Sequence, residues 1–115
     1  MLAISNTSRY YFYRKLCDMR FGIYSLSGLV RNELWHDPLN GDVFVFMGKR
    51  RNQIRLLQWD GDGFAMYIKK LEQGTFEWPR GEDISITSQQ LTLLMEGVML
   101  KTVRLRKRYT SLKRA

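Results

Sequence analysis

A doubled Asp-Gly turn between two β-rich runs constrains this chain more than any other feature. The stretch Trp59-Asp60-Gly61-Asp62-Gly63-Phe64 joins residues 53–58 to residues 65–70. Asp and Gly tolerate the positive φ that tight hairpin turns require. Loops of two or of four residues centred on Gly61-Asp62 give the same register. We therefore predict an antiparallel hairpin in which Trp59 faces Phe64, Leu57 faces Met66 and Arg55 faces Ile68.

The remaining patterns predict an α+β domain. Its sheet is expected to be an antiparallel β-meander of four to five strands, with one helix after the first strand and a second helix near the C-terminus. The predicted strands are 8–13, 42–47, the two arms of the hairpin and a short edge strand at 75–78. Because several strands are apolar on both faces, we expect one helix to cover one face and the second helix or a partner chain to cover the other.

The helix boundaries follow from capping residues. Asp18 is a suitable N-cap for a first helix over 19–34, which should end before the Asp37-Pro38 pair. Residues 14–17 are then a connector. Thr87 and Gln90 have the spacing of a capping box, which predicts the start of the second helix. Gly97 is expected to end that helix in the left-handed conformation.

Length and composition narrow the classes of protein to consider. The 115 residues, 44% of them hydrophobic, suit one globular domain over 1–100 with a tail over 101–115. No apolar run is long enough to cross a bilayer, and the N-terminus lacks the features of a signal peptide. The single cysteine, Cys17, and the single histidine, His36, provide neither a disulfide nor the usual zinc ligands. A reducing, cytoplasmic setting without membrane contact is the simplest interpretation.

The positive charge is concentrated at the C-terminus. The chain has 19 Lys and Arg against 11 Asp and Glu, and residues 101–115 contain seven of the basic residues and no acidic ones. Residues 1–100 are therefore nearly neutral. A basic tail favours polyanionic partners, although a solvated tail that aids solubility has the same composition.

Three sequence features resemble catalytic or metal-binding sites but have simpler structural explanations. Asp60 and Asp62 are a close carboxylate pair of the type that binds Mg²⁺ or Ca²⁺, but a solvated turn explains them better, because no third acidic residue is near in sequence. His36 has no nucleophile motif beside it, and we interpret it as a structural residue near a helix end. Cys17 lacks a basic partner and is expected to be a small buried hydrophobe. We predict no cofactor and no enzymatic activity.

The best candidate site is cationic. The loop Lys49-Arg50-Arg51-Asn52, with Arg55 on the next strand, is typical of a surface that contacts phosphates without reading sequence. An ordinary exposed loop is the alternative. The predicted nucleic-acid-binding residues in loop and tail are Lys49, Arg50, Arg51, Arg55, Arg104, Arg106, Lys107 and Arg108. If the loop and the start of the tail share a face, DNA binding is favoured; opposite faces favour a tethering tail on a separate interaction module.

An ordered series of short motifs resembles one protein family. The motifs are Asp18-Met19-Arg20-x-Gly22-Ile23, Leu26-x-x-Leu29-Val30, Asp42-x-Phe44-Val45-Phe46, Trp59-Asp60-Gly61-Asp62-Gly63-Phe64, Lys69-x-Leu71-Glu72-x-Gly74-x-Phe76-x-Trp78-Pro79 and Leu91-x-x-Leu94-x-Glu96-Gly97. They are similar to the small accessory proteins, often called TnpB, of bacterial transposable elements of the insertion sequence 66 family. The resemblance runs from about residue 3 to residue 100 and leaves the basic tail outside.

The resemblance implies an accessory role in DNA transposition, in which a separate, larger transposase carries the acidic catalytic residues. It implies no catalytic or binding residues. The expected partners are therefore DNA and the transposase subunits of the same element. The alternative is a protein-interaction or oligomerisation module, bound to the transposase or to a second copy of itself, without nucleic-acid contact.

Overall fold

A five-stranded sheet forms the centre of the fold. The computed structural model describes residues 3–99. The main-sheet strands are β1 (Tyr10–Cys17), β2 (Val43–Gly48), β3 (Gln53–Trp59), β4 (Phe64–Lys70) and β6 (Ser85–Ile86), in the order β4-β3-β2-β1-β6. The helices are α1 (Ile23–Asn32) and α2 (Ser88–Glu96). A separate two-stranded sheet pairs β5 (Thr75–Phe76) with β7 (Val98–Met99).

The hairpin prediction is confirmed. In the antiparallel pair β3–β4, Trp59 faces Phe64, Leu57 faces Met66 and Arg55 faces Ile68. The loop has four residues and is closed by a 3.0 Å hydrogen bond from the backbone N–H of Asp60 to the carbonyl of Gly63. The rings of Trp59 and Phe64 meet edge to face at 5.1 Å between centroids, an arrangement that adds stability beside the turn.

The predicted meander is wrong at one pairing. Strands β1 and β2 are parallel, whereas β2–β3, β3–β4 and β1–β6 are antiparallel. The reason is the helix between β1 and β2, which carries the chain back along the sheet so that β2 starts at the same end as β1. The sheet is therefore mixed. The predicted edge strand at 75–78 is also displaced, since β5 pairs with β7 outside the main sheet.

The first strand and first helix have different boundaries from those predicted. Strand β1 continues to Cys17, so residues 14–17 belong to the sheet and are not a connector. Helix α1 begins after Gly22, which makes no side-chain cap, and Asp18 instead accepts hydrogen bonds from the backbone and guanidinium of Arg20. A carboxylate that bonds two residues ahead stabilises a local turn in competition with the helix.

The second helix starts as predicted. Thr87 accepts from the backbone N–H of Gln90, while the Gln90 side chain accepts from the backbone N–H of Thr87, and this completes a capping box. Gly97 ends the helix but has φ −85°, so the predicted left-handed cap is wrong. A Cβ at Gly97 would lie 2.8 Å from the carbonyl oxygen of Leu93, and this close approach explains the glycine.

Each face of the sheet is buried under one helix, as predicted. On one face, residues of α1 pack with alternate residues of the central strands; the buried set is Tyr13, Cys17, Leu26, Val30, Leu34, Phe44, Phe46 and Leu57. On the other face α2 packs over Tyr10, Phe12, Val43, Val45, Met47, Ile54, Leu56, Phe76 and Ile86. Strand β2 is buried along its whole length because it lies between both layers.

Candidate nucleic-acid interface

Four strands meet at one end of the sheet. Parallel pairing brings the last residues of β1 and β2, Cys17 and Gly48, into register. Strand β3 begins beside them with Gln53, and its partner Lys70 ends β4. Because neighbouring strands lie about 4.8 Å apart, these four positions form a row roughly 14 Å long. The carboxyl ends of parallel strands are where open α/β sheets place ligands.

Two loops form walls on either side of this row and leave an open cavity of about 450 Å³ between them. We call this cavity the sheet-end groove. One wall is the 18–22 loop between β1 and α1, and the other is the 49–52 loop between β2 and β3. The groove is lined by four basic residues (Arg20, Lys49, Arg50 and Lys70), one acidic residue (Asp18), and Cys17, Met19, Gly48, Asn52 and Gln53. Its side chains therefore carry a net charge of +3.

Arg55 fixes the 18–22 wall. Its guanidinium donates to the carbonyl oxygens of Met19 (2.6 Å) and Phe21 (2.7 Å) and to the side-chain oxygen of Gln53 (3.0 Å). Gly48 allows the Met19 side chain to pack directly against the end of β2, since a Cβ at position 48 would lie 2.5 Å from the Cγ of Met19. The loop is thus held against the strand ends by hydrogen bonds and by close packing.

Asp18 is hydrogen-bonded to Arg20 and lies in the electrostatic field of Lys49. Its carboxylate accepts two hydrogen bonds of 3.0 and 3.1 Å from Arg20 Nε and one of 2.5 Å from Arg20 Nη2. Hydrogen bonds from Arg20, and to a smaller extent the charges of Arg20 and Lys49, hold the pKa of Asp18 well below its usual range. The carboxylate is therefore ionised at neutral pH, and Lys49 lies close enough to contribute to the same field.

Cys17 lines the groove as a neutral thiol. The residue is buried, as predicted, and burial raises its pKa to about 11, with a smaller contribution from the charge of Glu33. A thiol of that pKa is almost entirely protonated at neutral pH and is a poor nucleophile.

The predicted cations have different positions. Lys49 and Arg50 are exposed and line the groove. Arg51, at φ 58°, turns away and places its guanidinium 5.4 Å from the centroid of the Trp78 ring. Arg55 lies behind the 18–22 loop with its hydrogen bonds used to hold that loop. Nucleic-acid contact by these residues stays a prediction, and Arg104, Arg106, Lys107 and Arg108 lie outside the described residues.

The last described strand ends beside the basic loop. The carbonyl of Arg51 accepts a 2.7 Å hydrogen bond from the backbone N–H of Phe76 in β5, and Phe76 pairs with Val98 in β7. Val98 is thus two strand spacings, roughly 10 Å, from Arg51. The last described residues therefore lie close to the 49–52 loop.

Two groove residues, Arg20 and Lys70, were absent from the sequence prediction. Lys70 was predictable, since the predicted hairpin register already places it opposite Gln53. Arg20 was not, because only the parallel pairing of β1 and β2 brings the 18–22 loop beside the 49–52 loop.

The residues that resembled catalytic or metal-binding candidates in the sequence lie in a turn or pack against the core. Asp60 and Asp62 lie in the β3–β4 turn, at the opposite end of β3 from the groove. His36 packs against the rings of Tyr11 and Phe44, at 4.3 and 6.2 Å between centroids. Within residues 3–99, no three His, Cys, Asp or Glu side chains are grouped as metal ligands, and no helix has the length and apolarity to cross a membrane.

The fold and groove define a small mixed α+β domain with a cationic cavity at the carboxyl ends of its parallel strands. Residues 8–105 match the family described as "IS66 Orf2 like protein". The chain belongs to this family, whose members are proteins of insertion-sequence elements. The family is associated with transposition, and its role there is accessory and not catalytic. The match extends five residues into the segment expected to lie outside the resemblance and includes Arg104.

Two curated relatives come from Sinorhizobium fredii. The uncharacterized proteins y4hO and y4jC are each 37% identical over 83 residues, which is 70% of this chain and 72% and 71% of the respective relative. No solved structure matches the chain.

Proposed function

We propose that this protein is a non-enzymatic accessory factor of transposition that binds DNA through the sheet-end groove and the basic tail. The observation that carries this proposal is the grouping of four cations, Arg20, Lys49, Arg50 and Lys70, around one cavity at the strand ends. These four residues come from three separate segments, namely the 18–22 loop, the 49–52 loop and the end of β4. Only the fold brings them together. Lys and Arg neutralise phosphates without reading sequence, and this is the dominant contribution to general DNA affinity.

The position of strand β7 supports the same proposal. It ends the described part of the chain near the 49–52 loop, which is the arrangement expected if loop and tail contact one DNA molecule. Two linked cationic elements on one face bind a polyanion more tightly than either does alone, because the second contact is intramolecular. The transposase of the same element is the proposed protein partner.

A salt titration of duplex DNA binding tests this function. If about six phosphates are neutralised, the slope of log affinity against log salt concentration is near −5. The double variant Lys49→Gln/Arg50→Gln should reduce the slope to about −3, since each lost contact removes about 0.9.

The matched control is Arg9→Gln/Arg31→Gln, which removes the same charge from exposed residues just before β1 and in the last turn of α1, at the other end of the sheet. An equal loss of affinity in both double variants would show an effect of net charge alone. A slope near zero for the unaltered protein would overturn the proposal.

A protein-interaction module is the second candidate, favoured by β4. This seven-residue strand is at the edge of the sheet, and among the described residues no strand pairs with its outer side. Ile68 in its centre is 50% exposed. Open edges accept an added strand from another chain. Size-exclusion chromatography with and without the transposase tests this candidate: a monomer with no shift on mixing would exclude it.

A further inference from the structure

We propose that the sheet-end groove binds the phosphorylated end of a DNA strand, with the terminal phosphate monoester as its ligand. This inference rests on the proposed DNA-binding function and specifies its substrate. It follows from three properties of the groove: its volume, its surplus of positive charge, and the hydrogen-bonding groups of its lining.

The volume suits one nucleotide. About 450 Å³ lies in the range of small-molecule sites and is too small for a segment of duplex. A surface that tracks intact backbone is an extended strip of cations, since successive phosphates are exposed along a convex helix. Here the cations surround a concavity between two loops, so a strand end can enter the cavity, whereas an uninterrupted duplex can reach only the exposed cations at its rim.

The charge suits a monoester better than a diester. A terminal phosphate carries about −1.5 to −2 at pH 7, because its second pKa is near 6, and it presents three acceptor oxygens. An internal phosphodiester carries one negative charge. Four cations and one carboxylate leave the groove at +3. Lys49, Arg50 and Lys70 are exposed, and their side chains make no hydrogen bond within residues 3–99, so their donors are available to such a ligand.

The lining also offers groups for the nucleotide itself, since Asn52 and Gln53 are among its residues. The side-chain oxygen of Gln53 accepts from Arg55, which leaves its NH₂ group as a donor. The amide of Asn52 can both donate and accept, and it is therefore suited to a sugar or a base edge. Inorganic phosphate would use only the cations, whereas a nucleotide would use both.

Asp18 opposes the ligand and makes the inference testable from both directions. Its carboxylate holds Arg20 and is ionised at neutral pH, so an arriving phosphate competes with it for that guanidinium. Removing its charge should strengthen phosphate binding, while removing a groove cation should weaken it.

The experiment measures fluorescence anisotropy of the full chain with one short single-stranded oligonucleotide, unphosphorylated, 5′-phosphorylated or 3′-phosphorylated, at pH 7.5 and fixed salt. We expect at least one phosphorylated form to bind about tenfold more tightly than the unphosphorylated form. Titration from pH 7.5 to pH 5 should weaken this preference, since the monoester then falls from nearly two negative charges to one.

Variants locate the effect. Lys49→Gln/Lys70→Gln should remove the preference for a phosphorylated end, and Arg9→Gln/Arg31→Gln should retain it. Asp18→Asn should raise affinity for the phosphorylated oligonucleotide about fivefold, since one charge at about 4 Å in water is worth about 1 kcal/mol. Asp62→Asn, the same change at the far end of the sheet, should leave the affinity unchanged. Circular dichroism confirms that each variant is folded.

Competition separates the possible ligands. A nucleoside 5′- or 3′-monophosphate that displaces the oligonucleotide at lower concentration than inorganic phosphate supports the proposal. Equal displacement by both would overturn it in favour of a general anion site. Equal affinity for phosphorylated and unphosphorylated ends also overturns it, and duplex binding with the salt dependence described above would then still support the proposed function. If the unaltered protein binds no DNA at all, both the proposed function and this inference are refuted.

Discussion

Arg55 was predicted to contact DNA, but its guanidinium holds the 18–22 loop in place. Its three hydrogen bonds to Met19, Phe21 and Gln53 require the planar fork of a guanidinium, which lysine lacks. We expect Arg55→Lys to lower the free energy of unfolding by about 2 kcal/mol, because a charged hydrogen bond is worth about 1.5–3 kcal/mol.

Urea unfolding measures that loss, and Arg50→Lys is the matched control. Arg50 is exposed and lines the groove, so its substitution should change stability by less than about 0.5 kcal/mol. Equal stability of the two variants would show that the Arg55 hydrogen bonds contribute nothing net.

The buried thiol of Cys17 should make the free energy of unfolding fall in alkaline solution. Burial raises its pKa from 9.0 to about 11, so the folded state retains a proton that the unfolded state releases. The stabilisation is therefore complete below pH 9 and is lost as the pH rises from 9 to 11. We expect the free energy of unfolding to fall more steeply between pH 8 and pH 10 in the unaltered protein than in Cys17→Ala.

Tyr13 provides an internal comparison for this measurement. Burial, assisted by its hydrogen bond to Glu33, raises the pKa of Tyr13 as well, and the resulting decline above pH 10 is common to both proteins. Identical pH profiles for the two proteins would contradict the assignment to Cys17.

The capping box starts helix α2, which covers one face of the sheet. Replacing Thr87 with Ala removes the acceptor for the Gln90 N–H, and we expect a loss of about 1 kcal/mol in the free energy of unfolding. Thr87→Ser keeps the hydroxyl and should lose much less. If the two variants unfold at the same denaturant concentration, the cap is not a source of stability.

The β3–β4 hairpin is fixed by more than its turn. The edge-to-face contact of Trp59 with Phe64 predicts a coupling energy of about 1 kcal/mol in a double-mutant cycle of the two alanine substitutions. Thermal or urea unfolding of the four proteins gives this value. Strict additivity would assign the register to the Asp-Gly turn alone.

Local signals were sufficient for some elements and insufficient for the topology. The hairpin register and the capping box were predictable because turn, alternation and cap lie within a few residues of each other. The parallel pairing of β1 with β2 was not, because it depends on the path of α1 across the sheet. One groove cation could not be predicted without this pairing: Lys49 and Arg50 were found as a run of charge, whereas Arg20 became a groove residue only through the parallel pairing.

At the scale of the whole molecule, groove and tail are expected to act together. Deleting residues 101–115 should reduce the salt slope of DNA binding from about −5 to about −3, which is the contribution of the three groove cations without hydrogen bonds. Combining this deletion with Lys49→Gln/Arg50→Gln should nearly abolish the salt dependence. Unchanged affinity after the deletion would exclude the tail from the DNA contact.

The stacking of Arg51 on Trp78 has a practical consequence for optical measurements. The guanidinium of a groove-side loop lies 5.4 Å from an indole ring, so movement of that loop changes the surroundings of a fluorophore. Trp35 is 85% exposed and Trp59 is at the far end of the hairpin, and both can be replaced by Phe to leave one emitter. The emission of Trp78 would then report any movement of the 49–52 loop that accompanies ligand binding, without an added label.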